Sequence, residues 1–122
     1  MRYTKEHEWI RPEGENWLIG ITDHAQDALG DIVFVELPAL GDQLAVGESL
    51  AVIESVKAVA NAYCPVDAEV VEINAALEDE PQAINERPME AWIAKVRPAD
   101  ASALDSFMDE VAYTAFLAEE AE

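Results

Sequence analysis

Short apolar runs broken by glycine, proline and acidic residues dominate the chain, the pattern of strands with one buried face and tight turns. Trp17-Leu-Ile-Gly-Ile-Thr22 reads as a strand, and so does Asp31-Ile-Val-Phe-Val-Glu-Leu37, which Pro38 ends. Between them Asp23 is placed to cap one short helix over His24–Leu29, with Gly30 as its stop. Gly41-Asp42 and Gly47-Glu48 predict turns. Leu50–Glu54 and Ala58–Ala62 predict two strands around a tight centre, Ser55-Val56-Lys57. Glu69–Ile73 and Trp92–Val96 complete the strand set. From Ser102 the period turns helical: Leu104, Phe107, Met108, Val111 and Ala115 recur at helix spacing, and Ser102 with Asp105 resembles a capping box. That stripe predicts a C-terminal helical segment, about 102–118, with one face on the sheet. A weak echo relates 31–42 to 69–79, each a strand, a polar turn and Leu-x-Asp. If the two are half-units, Lys57 stands at a hairpin tip between them, presented to solvent and to other proteins.

Length and composition fit this picture. The chain has 122 residues, 51% of them hydrophobic, which suits one domain with a modest core rather than disorder. Cys64 is the one cysteine, so disulfides do not hold the fold. Seven Lys and Arg face 26 Asp and Glu, a net charge of −19. Nucleic acid and anionic membrane, which require basic patches, are excluded as partners. The acidic surface is either a solubility device or a steering field toward basic patches on larger proteins, and the two are compatible. No stretch approaches the ~20 apolar residues of a membrane span. Met1–Trp9 has no apolar signal core and carries Glu6 and Glu8. The expectation is a cytoplasmic protein, or one of the mitochondrial matrix if a leader has been removed.

Candidate chemistry narrows to few residues. Of the lysines Lys5, Lys57 and Lys95, Lys57 lies in an apolar, strand-rich run, Ala51-Val-Ile-Glu-Ser-Val-Lys-Ala-Val59. Such a lysine is commonly a solvent-facing edge residue. A modification site requires more, an amine clear of the fold on a rigid turn with a distinctive neighbourhood; Glu54 is either a recognition group there or an ordinary surface charge. His7 and His24 are far apart and share no metal-ligand spacing with Cys64, so no zinc site is expected. Cys64 precedes Pro65 at a strand end and has no evident base. There is no Ser/His/Asp arrangement and no phosphate-cradling glycine loop, so the chain is not expected to be an enzyme. The acidic tail Glu119–Glu122 reads as solvated.

Glu54-Ser55-Val56-Lys57-Ala58 resembles the lipoyl-lysine motif of glycine cleavage H proteins. The resemblance extends through Tyr3-Thr-Lys-Glu-His-Glu-Trp9, Gly20–Gln26, Gly30–Pro38 and Asn74–Pro81, roughly residues 3 to 117. It implies a mainly β protein with short helices: a lipoyl-domain-like hybrid-motif β-sandwich plus a C-terminal helix, one carrier domain over 1–122, with the lysine hairpin at about 50–63. It implies lipoic acid joined as an amide to Lys57, removing its charge. The lipoyl carrier would shuttle the aminomethyl group of glycine from a pyridoxal-phosphate glycine decarboxylase to a tetrahydrofolate-dependent aminomethyltransferase. Dihydrolipoamide dehydrogenase would reoxidise the arm, and a lipoate ligase or lipoyl transferase would install it. Tethering raises the effective concentration of the reactive sulfur at each partner. The loaded arm needs shelter and an acidic partner for its ammonium. Glu8 is the candidate, with an ordinary surface carboxylate as the competing reading, and Trp9 is either apolar cover or a core residue.

The chain departs from the family at three places. Asp67 stands two residues after Pro65, where a glycine is usual; Asp adopts left-handed backbone more readily than most residues, which would preserve the turn. Asn61 replaces an aspartate beyond the hairpin. The loop Asn85-Glu-Arg-Pro-Met-Glu-Ala-Trp92 is shortened and lacks two glycines and an aromatic, which predicts a stiffer, differently shaped loop. These bear on partner docking and arm shelter and leave 54–58 untouched. Alternatives are a divergent H-like lipoyl carrier serving lipoate relay or another complex, and a purely structural acidic protein. A 2-oxoacid dehydrogenase lipoyl domain would show Asp before the lysine, and a biotin carrier would flank it with methionines.

Overall fold

A computed structural model describes residues 1–120. The strands are β1 (Arg2–Tyr3), β2 (Glu8–Glu13), β3 (Asn16–Ile21), β4 (Ile32–Glu36), β5 (Gln43–Leu44), β6 (Ser49–Ser55), β7 (Val59–Tyr63), β8 (Ala68–Ile73) and β9 (Ala94–Pro98). They form a six-stranded sheet in the order β1-β2-β3-β9-β8-β5 and a three-stranded sheet in the order β4-β6-β7. Every pairing within them is antiparallel. Helix α1 (Asp23–Leu29) carries the chain between the sheets, the single turns α2 (Ala76–Asp79) and α3 (Ala83–Glu86) follow β8, and α4 (Glu110–Glu120) ends the description. The mainly β sandwich with short helices and a C-terminal helix is therefore as expected.

Alternation on β3 shows how the layers form. Trp17, Ile19 and Ile21 join the main core with Ile32, Val35, Leu50, Ile53, Val70 and Val96. Leu18, on the opposite face, joins Tyr3, Trp9 and Tyr113 in a second cluster, against which Trp92, Met108 and Phe116 pack. Successive side chains on a strand point to opposite faces, so one sheet feeds two apolar layers. Gly20 is opposite Trp9, and a Cβ there would lie 2.5 Å from the indole. Trp9 is fully buried and its Nε1 donates to the Pro88 carbonyl at 2.9 Å, so it is a core residue under the shortened loop and not cover for an arm.

Three local expectations need correction. Helix α1 is capped by Thr22, whose hydroxyl accepts from the Ala25 amide; Asp23 lies inside the first turn and accepts from Gln26 instead. The C-terminal segment is not one helix from 102. A 3-10 helix spans Ala101–Ser106 with Asp100 as its cap, the chain then pairs with β1 through Tyr3 and Met108, and α4 starts at Glu110. That bridge breaks the 3.6 period, which is why Val111 is 79% exposed while Tyr113 is buried. Asp67 keeps negative φ, since His7 is the only non-glycine with positive φ among the described residues. The turn survives because the Asp67 side chain accepts from the Val46 amide at 2.8 Å. As for the acidic tail, Glu119 and Glu120 belong to α4, and Ala121 and Glu122 lie outside the described residues. The two echoed segments fall in different sheets, β4 in the smaller and β8 in the larger, and they meet where the Val70 amide donates to the Asp42 carbonyl.

Candidate functional site

The β6–β7 hairpin puts Lys57 at its tip. Ser55 closes the turn: its amide donates to the Ala58 carbonyl at 2.8 Å, and its hydroxyl oxygen accepts from the amides of Lys57 and Ala58 at 3.3 and 3.0 Å. The Val56 amide donates to the Asp31 carbonyl at 3.0 Å, tying the tip to the start of β4. Lys57 is exposed between Val56 and Val59, themselves 70% and 65% exposed. Among the described residues no carboxylate lies within ion-pair distance of its amine. Lys95, by contrast, is tied to Glu13 at 2.6 Å and Glu72 at 3.4 Å.

The lysine stem passes over Gly30. A Cβ on Gly30 would lie 3.4 Å from Lys57 Cε, and Gly30 has φ 80° and ψ −156°, a conformation essentially restricted to glycine. Asn85 holds this platform: its amide nitrogen donates to the Gly30 carbonyl at 2.8 Å and to Gln26 at 2.9 Å, and its side-chain oxygen accepts from the Ile32 amide at 2.8 Å. Composition and periodicity signalled neither Ser55 as the turn lock nor Asn85 as the clamp. Their signal lay in the family-like strings around them.

Glu54 is half-buried on β6, opposite Phe34 of β4 and Val59 of β7, and makes no ion pair among the described residues. It therefore presents a carboxylate beside the hairpin tip. Glu8 is no surface carboxylate: it is 2% exposed. Its two oxygens accept from the Thr4 hydroxyl at 2.5 Å and the Tyr63 amide at 3.2 Å. Burial pushes its pKa up, against those two hydrogen bonds. It lines a cleft of about 410 Å³ with Thr4, Glu6, Tyr63 and Cys64 at the end of β7 remote from Lys57. Cys64 is buried, its thiol donates to the Val66 carbonyl, and burial pushes its pKa up to about 11, so it is inert as a nucleophile. Asn61, on β7 between Lys57 and that cleft, accepts from the Ser49 hydroxyl at 2.8 Å.

The fold brings His7 and His24 together despite their separation in sequence: their rings lie 4.5 Å apart, and His7 Nε2 lies 3.0 Å from a Glu120 oxygen.

A rigid β-sandwich that lifts one unpaired lysine on a locked turn has the form of a swinging-arm carrier domain. The family model for the glycine cleavage H-protein matches residues 1–120. Glycine cleavage system H proteins of Phenylobacterium zucineum and Thermus thermophilus are 51% and 50% identical, covering 97% and 98% of this chain and 98% and 94% of theirs. A crystal structure of a glycine cleavage system H protein from Mycobacterium marinum superposes with a TM-score of 0.80 at 33% identity, covering 98% of this chain and 95% of that one. The chain belongs to the glycine cleavage H-protein family, a generally lipoyl-bearing carrier component of the glycine cleavage system and not a catalyst. No helix among the described residues is long and apolar enough to cross a membrane.

Proposed function

We propose that Lys57 is the lipoyl attachment residue and that the arm built on it carries the aminomethyl group of glycine between the enzymes of the system. The observation that carries this reading is the unpaired, exposed Lys57 amine on the turn locked by Ser55, above the Gly30 backbone. These residues fit the group: among the described residues the amine has no carboxylate partner, so acylation breaks no ion pair, and the stem lies beside the Gly30 backbone. A lipoyl amide on Lys57 would supply a cyclic disulfide suited to taking up a one-carbon unit, and the arm's partners would be a pyridoxal-phosphate glycine decarboxylase, a tetrahydrofolate-dependent aminomethyltransferase and dihydrolipoamide dehydrogenase.

The chain's own residues supply position and shelter. Glu54 marks the lysine for the lipoate ligase or lipoyl transferase. Val56 and Val59 give partner enzymes an apolar landing beside the tip, and the charge of −19 steers the carrier to basic surfaces. Residues 57 to 61 span about 13 Å of strand, a distance that an extended lipoyl-lysine of about a dozen bonds covers. An arm directed along β7 toward Asn61 would point to the cleft at the end of that strand, where Glu8 would offer a carboxylate to the loaded ammonium.

The test is the intact mass and peptide map of protein produced with lipoate and an active ligase. One lipoyl increment on the Lys57 peptide is expected. The Lys57→Arg protein should fold and gain nothing, because guanidinium does not form the amide. Modification of that variant, or an unmodified Lys57 beside a fully lipoylated control carrier, overturns the assignment. Glu8→Gln is expected to leave lipoylation intact and hasten decay of the aminomethyl-loaded arm; equal decay rates remove Glu8 from the shelter.

A further inference from the structure

Three side chains from separate elements converge beside the N-terminal end of α1. His7 lies between β1 and β2, His24 is the second residue of α1, and Glu120 is the last of α4. One ligating atom from each lies within 4.8 Å of the other two. Of these, His7 Nε2 and Glu120 Oε2 lie 3.0 Å apart. A tetrahedral zinc with bonds of ~2.0–2.2 Å spaces its ligands ~3.4 Å apart, within the range these atoms already span. The three line an open groove with Ala25, Ala28 and Leu117, which leaves solvent access for a fourth ligand.

The surroundings of His7 strengthen the argument. Its Nδ1 lies 2.8 Å from the Tyr113 hydroxyl, which in turn lies 2.8 Å from Thr22 Oγ1. Tyr113 is buried and stacked on Tyr3 at 4.5 Å, so this partner is fixed. An Nδ1–H donated to Tyr113 leaves the Nε2 lone pair aimed at the groove, the outer-shell arrangement that orients metal-bound imidazoles. His7 also has φ 68°, a left-handed conformation uncommon for a residue with a side chain. The amide of Thr22 donates to the His7 carbonyl at 3.0 Å and holds it there. The left-handed backbone held by the Thr22 amide and the buried Tyr113 position one imidazole nitrogen toward a second histidine and a carboxylate.

We propose that His7, His24 and Glu120 form a site for a divalent transition metal of the zinc class. The ion sits between His7 Nε2 and Glu120, joins α1 to the end of α4, and keeps one position open to water. Two imidazoles select zinc, nickel or copper over magnesium and calcium, which prefer all-oxygen sets. The site involves neither Lys57 nor its arm, so it stands or falls independently of lipoylation.

The test is calorimetric titration of the full chain, Lys57 unmodified so that no arm sulfur competes, with zinc and separately with calcium. One zinc per chain is expected, with a rise in Tm. His24→Ala and Glu120→Gln, both at exposed positions, are each expected to weaken zinc binding at least ~10-fold. Tyr113→Phe, which keeps the buried ring and removes the Nδ1 partner, should weaken it by about the same factor, as outer-shell losses do. Glu78→Gln on α2 should change nothing. Because a chain of charge −19 attracts any cation diffusely, the decisive readout is the variant pattern. Zinc binding that matches calcium and is insensitive to His24→Ala and Glu120→Gln, or no zinc binding at all, overturns the proposal.

Discussion

Asn85→Ala tests whether the platform beneath Lys57 is held by one side chain. The substitution removes the acceptor for the Ile32 amide and the donor to the Gly30 carbonyl and Gln26. Ile32 is buried, so its amide loses its partner where water enters poorly, a cost of about 1–3 kcal/mol. Loss of the Gly30 bond adds about 1 kcal/mol, and the Gln26 bond adds little because water replaces it. The total is about 2–4 kcal/mol. For a domain of this size ~1 kcal/mol shifts Tm by about 4 °C, so a fall of about 8–16 °C is expected. Denaturant midpoints and calorimetry measure that part. The functional part is the rate of enzymatic lipoylation well below Tm, which should fall because Gly30 and Asp31 no longer hold the stem and the Val56 amide in place. Asn85→Asp serves as the comparison: it keeps an acceptor for Ile32 but sets a carboxylate oxygen against the Gly30 carbonyl and the Gln26 side-chain oxygen, so it should be destabilised as well. A loss below ~0.5 kcal/mol in Asn85→Ala, or an unchanged lipoylation rate beside the full stability loss, would refute the clamp.

Gly20→Ala should cost about 1–3 kcal/mol by overpacking, because its Cβ meets the buried Trp9 ring at 2.5 Å; unchanged urea midpoints would show that the indole moves freely. Glu8→Gln has a defined pH signature. Burial raises the folded-state pKa of Glu8, so its favourable contribution is present below the ordinary carboxylate range and is lost as pH rises through the raised value. The Tm of Glu8→Gln relative to the parent should therefore climb as pH rises from the ordinary carboxylate range through the raised value, and a flat difference would contradict the burial argument. Ser55→Ala should leave Tm nearly unchanged, since its bonds are exposed, while slowing lipoylation through a looser turn; equal rates would assign the lock to the backbone alone.

Local sequence determined the strand-rich architecture because period-two alternation needs only a sheet on which to bury one face. β3, β4, β6 and β8 accordingly lie within a residue or two of their expected places. The hairpin tip at Lys57 was legible too, since Ser55-Val56-Lys57 lies between two apolar runs, and the strings around it pointed to the family. Helix capping was less legible: Thr22 and Asp23 are both good caps, and only backbone geometry chose between them. What the tertiary structure decided are the contacts between residues distant along the chain. The Tyr3–Met108 bridge split the expected C-terminal helix, the end of β7 buried Glu8 against Tyr63, and Asn85 reached back to Gly30 and Ile32. The same holds for His7, His24 and Glu120, three residues distant in sequence whose side chains only the tertiary packing brings together. Periodicity reports which face of an element is buried; it carries no information about which distant side chain will meet it there.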